Sequence, residues 1–180
     1  DWMPCPMLST ALPVSEKKRE SQVRAGNRLF WGAVLAGLVL DQFSKLAVLA
    51  WLGPEKNLRL FRYFSLTCVQ NKGICFGWFG SGEALIPVMI VSAGFITGIA
   101  FYAHARKNLS RLEQTSLGII TAGITGNLID RLRLGAVVDF LNFHVWPVFN
   151  LADTMIVTGV GLFILWQVKG NCVTHLSENR

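Results

Sequence analysis

The stretch GNLIDRLRLGAVVDFLNFHVWPVFNLAD, residues 126–153, holds three aspartates (Asp130, Asp139, Asp153) and two asparagines in apolar company (Asn127, Asn150). Two arginines, Arg131 and Arg133, complete it, and it lies between two strongly hydrophobic segments. Ionisable residues at the edge of a membrane span are costly to keep there and mark a functional site by default. Two carboxylates brought together at such an edge suggest hydrolysis by a water held between them.

Composition supports a membrane setting. Hydrophobic residues make up 52% of the 180 and charged residues 16%, against about a quarter charged in soluble domains. The apolar residues are bunched into long runs, which predicts one integral membrane domain. The formal net charge is +6, and the excess flanks the runs at Lys17, Lys18, Arg19, Arg24 and Arg28, then at Arg106, Lys107 and Arg111. That pattern is a topology signal rather than a stripe for nucleic acid. The four cysteines (Cys5, Cys68, Cys75, Cys172) contain no CxxC, and His104, His144 and His175 have no ligand spacing. No metal or cofactor is therefore expected. Cys68 and Cys75 can pair only if their segment faces an oxidising compartment.

Four spans are predicted, over about 29–52, 84–103, 115–132 and 148–168, each near the length that crosses a core of ~30 Å. Residues 1–28 read as a polar, basic tail broken by Pro4, Pro6 and Pro13, and residues 169–180 as a short polar one. Between the first two spans, residues 55–81 suit one or two short strands and then an interfacial loop with Phe76, Trp78 and Phe79. Gly94 and Gly98 in the second span, and Gly118, Ala122 and Gly126 in the third, have the spacing that lets helices approach closely. Basic flanks at 17–28 and 104–111 put both termini on the cytoplasmic side. The 53–83 platform and the 131–147 link then face outward.

On that topology Asn71, Asn127, Asp130, Arg131, Asp139, Asn150 and Asp153 converge at the outer face. Asn150 and Asp153, three residues apart, share one side of the fourth helix. Asp139 sits in Ala136-Val137-Val138-Asp139-Phe140-Leu141, where desolvation raises a carboxyl pKa. A helical hairpin can bring Asp139 to Asp153, one ionised to take a proton from water and one protonated to donate to the oxyanion. Asp41 and Lys45 share a face of the first span, far from this cluster, and fit a buried pair that joins helices. Asp130 beside Arg131 fits an ion pair closing a helix end, and Asn127 and Asn150 fit either helix packing or positioning of the dyad. Ser44 beside Lys45 suggests a serine–lysine peptidase, but neighbours on a helix point about 100° apart.

These blocks resemble bacterial lipoprotein signal peptidase, also called signal peptidase II. The matching stretches are Asp41-Gln-x-Ser-Lys45, Asn71-x-Gly73-x-x-Phe76, Gly126-Asn127-x-x-Asp130-Arg131, Val137-Val138-Asp139-Phe140 and Phe149-Asn150-x-Ala152-Asp153, in the family's order over about residues 29–168. The resemblance implies an all-α polytopic inner-membrane aspartyl peptidase of four transmembrane helices with a small extracytoplasmic β-cradle. Its implied substrate is a diacylglyceryl-modified prolipoprotein, cut before the lipidated cysteine. The implied catalytic pair is Asp139 and Asp153. Asn71, Gly73, Asn127, Arg131 and Asn150 take supporting roles, and Asp41, Lys45 and Asp130 structural ones. Membrane lipids and globomycin-type cyclic peptides are the other implied partners, and a monomer without nucleic acid is expected. The loop after Asn71 departs from the family, with Ile74 and Cys75 where smaller residues are usual. Two other classes stay open: a transporter relaying protons through Asp41, Lys45 and the outer acids, and a non-catalytic assembly protein whose acids only join helices.

Overall fold

The computed structural model of the chain describes residues 27–53, 56–72, 85–106 and 109–178, with side chains as far as Val168. Its elements run α1 (Arg28–Trp51), β1 (Asn57–Phe61), β2 (Phe64–Asn71), α2 (Leu85–Ala105), α3 (Arg111–Leu134), β3 (Val137–Asn142) and α4 (Leu151–Glu178). Helix α3 is the axis: α1, α2 and α4 all pack along it. Gly73, Cys75 and the aromatic loop of Phe76, Trp78 and Phe79 lie outside the described residues, and with them the conditional pairing of Cys68 with Cys75. The Cys68 thiol itself is buried in the sheet, which pushes its pKa up.

Among the described residues, three helices are long and apolar enough to cross a membrane: Arg28–Trp51, Leu85–Ala105 and Leu151–Val168. Their outward surfaces carry large apolar side chains such as Leu35, Phe43, Phe95 and Val157. Helix α1 buries only Phe30, Gly37, Asp41 and Lys45, at spacings of seven, four and four, which is one helical stripe. Helix α3 is different. Half of its 24 residues are buried, among them Glu113, Gln114, Ser116, Thr121, Asn127 and Asp130. A helix enclosed by three others meets protein rather than lipid, so it carries polar groups that the outer helices do not. That is why its composition falls short of the other three.

Helix boundaries follow local chemistry. Helix α3 begins four residues earlier than the expected Thr115, because Ser110 and Glu113 form a capping box: each side chain accepts the other residue's backbone N–H. It ends at Gly135, whose φ of 65° is the left-handed cap that glycine adopts without strain. Helix α4 starts at Leu151 rather than Val148, and it continues past Val168 to Glu178, where a polar tail was expected.

The small sheet has the order β1-β2-β3, antiparallel throughout. Asp139 lies in the link between α3 and α4, as expected, and that link is strand β3. The run Val137-Val138-Asp139-Phe140-Leu141-Asn142 has the β-branched and aromatic residues that suit a pleated surface, and it pairs Val69 with Asp139 and Asn71 with Val137. The chain then folds back, with Phe149 bridging to Leu141, and enters α4.

Glycine spacing works in one place and not the other. A Cβ on Gly118 would stand 2.6 Å from the Phe30 carbonyl oxygen, and one on Gly126 would collide with the Asp41 carboxylate. A Cβ on Gly123 would collide with the Ala152 carbonyl. Around Gly94 and Gly98 nothing lies within 4 Å. The close approach expected there is absent: α2 packs through Ile99, Tyr102 and Ala103, and Gly94 and Gly98 border an open groove. Gly123→Ala is therefore expected to cost about 1–3 kcal/mol through overpacking, seen as a lower melting temperature in detergent, whereas Gly94→Ala leaves the melt unchanged.

Candidate active site

The site begins with the first turn of α4. Asn150 Oδ1 accepts the Asp153 backbone N–H at 3.0 Å, and Asp153 Oδ2 accepts the Asn150 N–H at 3.2 Å. This is a reciprocal capping box written with Asn and Asp. It holds Asp153 in place by the same bonds that start the helix. The Asn150 side-chain amide then reaches outward, donating to Asp139 Oδ1 at 2.7 Å and to Asn127 Oδ1 at 3.1 Å.

Asp139 and Asp153 thus meet across one residue, Asn150. Strand register supplies the next partner: Asn71 lies two residues beyond Val69, the residue paired with Asp139, and so shares its face of the sheet. Its amide donates to Asp139 Oδ2 at 3.0 Å. Asn127 of α3 donates to Asp153 Oδ1 at 2.8 Å. Each of the four carboxylate oxygens therefore accepts a hydrogen bond.

Beneath the two aspartates lies a buried ion cluster. Lys45 Nζ stands 2.9 Å from Asp41 Oδ2, 2.8 Å from Asp130 Oδ2 and 3.0 Å from Asn127 Oδ1, so its three N–H donors have three acceptors. Asp41 Oδ1 accepts the Ala152 backbone N–H at 3.0 Å, and Asp130 Oδ2 accepts that of Val138 at 3.2 Å. Gln42 bonds Asp41, Asp130 and the Gly126 carbonyl.

Two expectations are corrected here. Asp41 and Lys45 are not remote, because Asn127 and Asp130 sit one to two turns inside the end of α3 and meet them there. Asp130 pairs with Lys45 rather than Arg131: successive helix residues diverge by about 100°, which leaves Arg131 bonding the Asn127 carbonyl at 3.4 Å and lining the cavity. Gln42 was not singled out from the sequence, although it stands inside the Asp41–Lys45 block. The backbone donors at Val138 and Ala152 leave no mark on side-chain identity.

Above the aspartates opens a cavity of about 1110 Å3. Asn71, Asn127, Arg131, Asp139 and Asp153 form its polar floor, and Val69, Val148, Ile156 and Val157 give it apolar walls. Trp146, exposed, stands at its side. Asp139 is only 3% exposed. Desolvation pushes its carboxyl up to about 6, the bond from Asn71 opposes this, and the nearby charge of Asp153 adds to it. Among the described residues no group of His, Cys, Asp and Glu has the arrangement to hold a metal ion.

Two outcomes follow from this geometry. The folded pKa of Asp139 exceeds its ordinary 3.8, so the folded state holds that proton more tightly. The resulting stability, of order 2–3 kcal/mol, is fully present below 3.8 and is lost as pH rises through about 6. Melting curves across that window are expected to lose this dependence in Asp139→Asn, and Asp153→Asn should lower the Asp139 titration midpoint seen by carboxyl NMR. Lys45→Met leaves Asp41 and Asp130 buried without their cation and is expected to cost about 3–5 kcal/mol. Adding Asp130→Asn should recover part of that loss in the melting temperature.

Known proteins resemble this chain over most of its length. The profile of the signal peptidase (SPase) II family matches residues 33–169. The lipoprotein signal peptidase of Halothermothrix orenii is 41% identical over 138 residues, covering 74% of this chain and 92% of that protein. The lipoprotein signal peptidase of Anaplasma phagocytophilum is 38% identical over 137 residues, covering 73% and 86%. A solved bacterial membrane enzyme, crystallised by the in meso method, superposes with a TM-score of 0.69 at 25% identity, over 77% of this chain and 87% of its own. The likeness extends through every element that supplies the cavity floor, and the chain belongs to the signal peptidase II family.

Proposed function

We propose that this protein is a membrane-embedded aspartyl endopeptidase that removes signal peptides from diacylglyceryl-modified prolipoproteins, cutting before the lipidated cysteine. The observation that carries the reading is the pair Asp139 and Asp153 bridged by Asn150 on the floor of an apolar-walled cavity. Family membership and the names of the relatives supply the substrate class.

The chemistry uses the asymmetry of the two carboxyls. Asp139, the more desolvated, holds its proton up to about pH 6 and serves as the acid. Asp153 accepts hydrogen bonds on both oxygens from Asn127 and Asn150 and serves as the base. Asp153 takes a proton from water as the water oxygen attacks the scissile carbonyl carbon, and Asp139 protonates the carbonyl oxygen. The tetrahedral intermediate collapses by breaking its C–N bond. The proton on Asp153 passes to the leaving amine, and the new carboxyl's hydroxyl proton returns to Asp139. Neither step needs a covalent enzyme intermediate.

All four long helices span the inner membrane in this reading, with both termini cytoplasmic and the sheet outside. The enclosed position of α3 among three apolar helices supports it. A diacylglyceryl anchor keeps the scissile bond near the interface, where the sheet and the first turn of α4 hold the carboxylates. Asn71, Asn127, Arg131 and Asn150 position the dyad and peptide, and the apolar cavity walls receive the acyl chains. A globomycin-type peptide occupies the same cavity.

A gel-shift cleavage assay on a lipidated prolipoprotein and its unlipidated twin tests the proposal. Cleavage of the lipidated form alone is expected. Asp139→Asn and Asp153→Asn should each reduce the rate by at least about a thousandfold while the purified variants keep a cooperative melt. Substantial activity in either variant overturns the dyad.

A further inference from the structure

Helices α2 and α4 both lie against α3 but scarcely touch each other. Between them is a second cavity, about 600 Å3, with Val91, Gly94, Gly98 and Tyr102 along one wall, Phe163 on the other and Leu117 as its floor. It is separate from the cavity over the aspartates, which meets α4 at Asp153–Thr158. Val91 and Tyr102 are eleven residues apart, about 16 Å along a helix. That is the depth of one leaflet in a hydrocarbon core of about 30 Å.

The groove is lined by apolar residues and Tyr102 except for Gln167, and it is cationic at one end. Arg106, exposed, holds its guanidinium 5.5 Å from the centre of the Tyr102 ring. Arg111, also exposed, opens α3 at the same end. The Asn27 amide donates to the Ala103 carbonyl at 2.7 Å, which brings the start of α1 and the exposed Arg28 alongside. Among the described residues the one acid here, Glu113, is 1% exposed, with its oxygens taken by the Tyr102 hydroxyl and the Ser110 N–H. The described surface charge at this mouth is thus positive.

Charge decides the occupant. The apolar groove ends at the Arg106 guanidinium, which suits a molecule with an anionic head and an apolar chain. We propose that the groove holds an acyl chain of an anionic phospholipid from the leaflet at the Arg28 end of the bundle, with the lipid phosphate on Arg106. The bound lipid fills the gap that Gly94 and Gly98 leave and ties α2 to α4. The proposal rests on the membrane placement of the bundle and not on the peptidase chemistry.

Native mass spectrometry of the full chain, in detergent containing phosphatidylglycerol or phosphatidylcholine with identical acyl chains, tests it. The wild type is expected to retain one phosphatidylglycerol with at least about tenfold preference. Gly98→Leu has open space for its side chain and should cut retention at least about tenfold. Arg106→Gln should keep a bound lipid but lose the headgroup preference. Melting curves and gel filtration establish that both variants are folded. Equal retention of the two lipids by the wild type, or a preference that survives Gly98→Leu, overturns the proposal. So does a wild-type dimer that Gly98→Leu dissociates, which would assign the groove to a second copy of the chain.

Discussion

One ammonium group holds this structure in register. Lys45 reaches Asp41 on its own helix and Asp130 and Asn127 on α3. Each partner then ties down something further. Asp41 accepts an N–H from the first turn of α4, Asp130 accepts one from β3, and Asn127 donates to Asp153. A buried ion cluster contributes little net stability after desolvation, but a partner left unpaired is expensive. The cost of any misalignment therefore falls on α1, α3, β3 and α4 together. The arrangement selects one packing more than it strengthens it.

This constraint explains why α3 is the least apolar of the long helices. It supplies Asn127, Asp130 and Arg131 to the site and Gly118, Gly123 and Gly126 to the approach of its neighbours. It can carry them because the other three helices cover it. Composition picks out α1, α2 and α4 as apolar enough to cross a membrane, and α3 differs from them by being enclosed.

Much of this was legible in the sequence. The apolar runs located the three helices apolar enough to cross a membrane, and the spacing of Gly118, Ala122 and Gly126 marked the remaining long one. Asp139 and Asp153 stood out because a carboxylate in apolar company is costly. Three things were hidden, each for a physical reason. Six residues are too few for periodicity to separate a strand from a link, so β3 was read only as a link between helices. The union of Lys45 with Asn127 depends on how far each residue lies from the end of its own helix, a tertiary quantity. Small-residue spacing permits close packing without requiring it, and Gly94 and Gly98 line the groove between α2 and α4 with no atom in close contact. One local signal was overlooked: Asn150-Leu-Ala-Asp153 has the spacing of a capping box, which fixes both the start of α4 and the direction of its acid.

The two halves of the site differ in how they come into being. Asn150 and Asp153 bond each other across three residues, whereas Asn71 and Asp139 meet across 68. Closing a chain segment costs entropy that grows with its length, and almost none is spent on the α4 turn. The conformational cost of assembling the dyad thus falls on the Asp139 side, which the sheet must close to provide. One carboxylate is set by its immediate neighbours in the chain, and the other only by the completed fold.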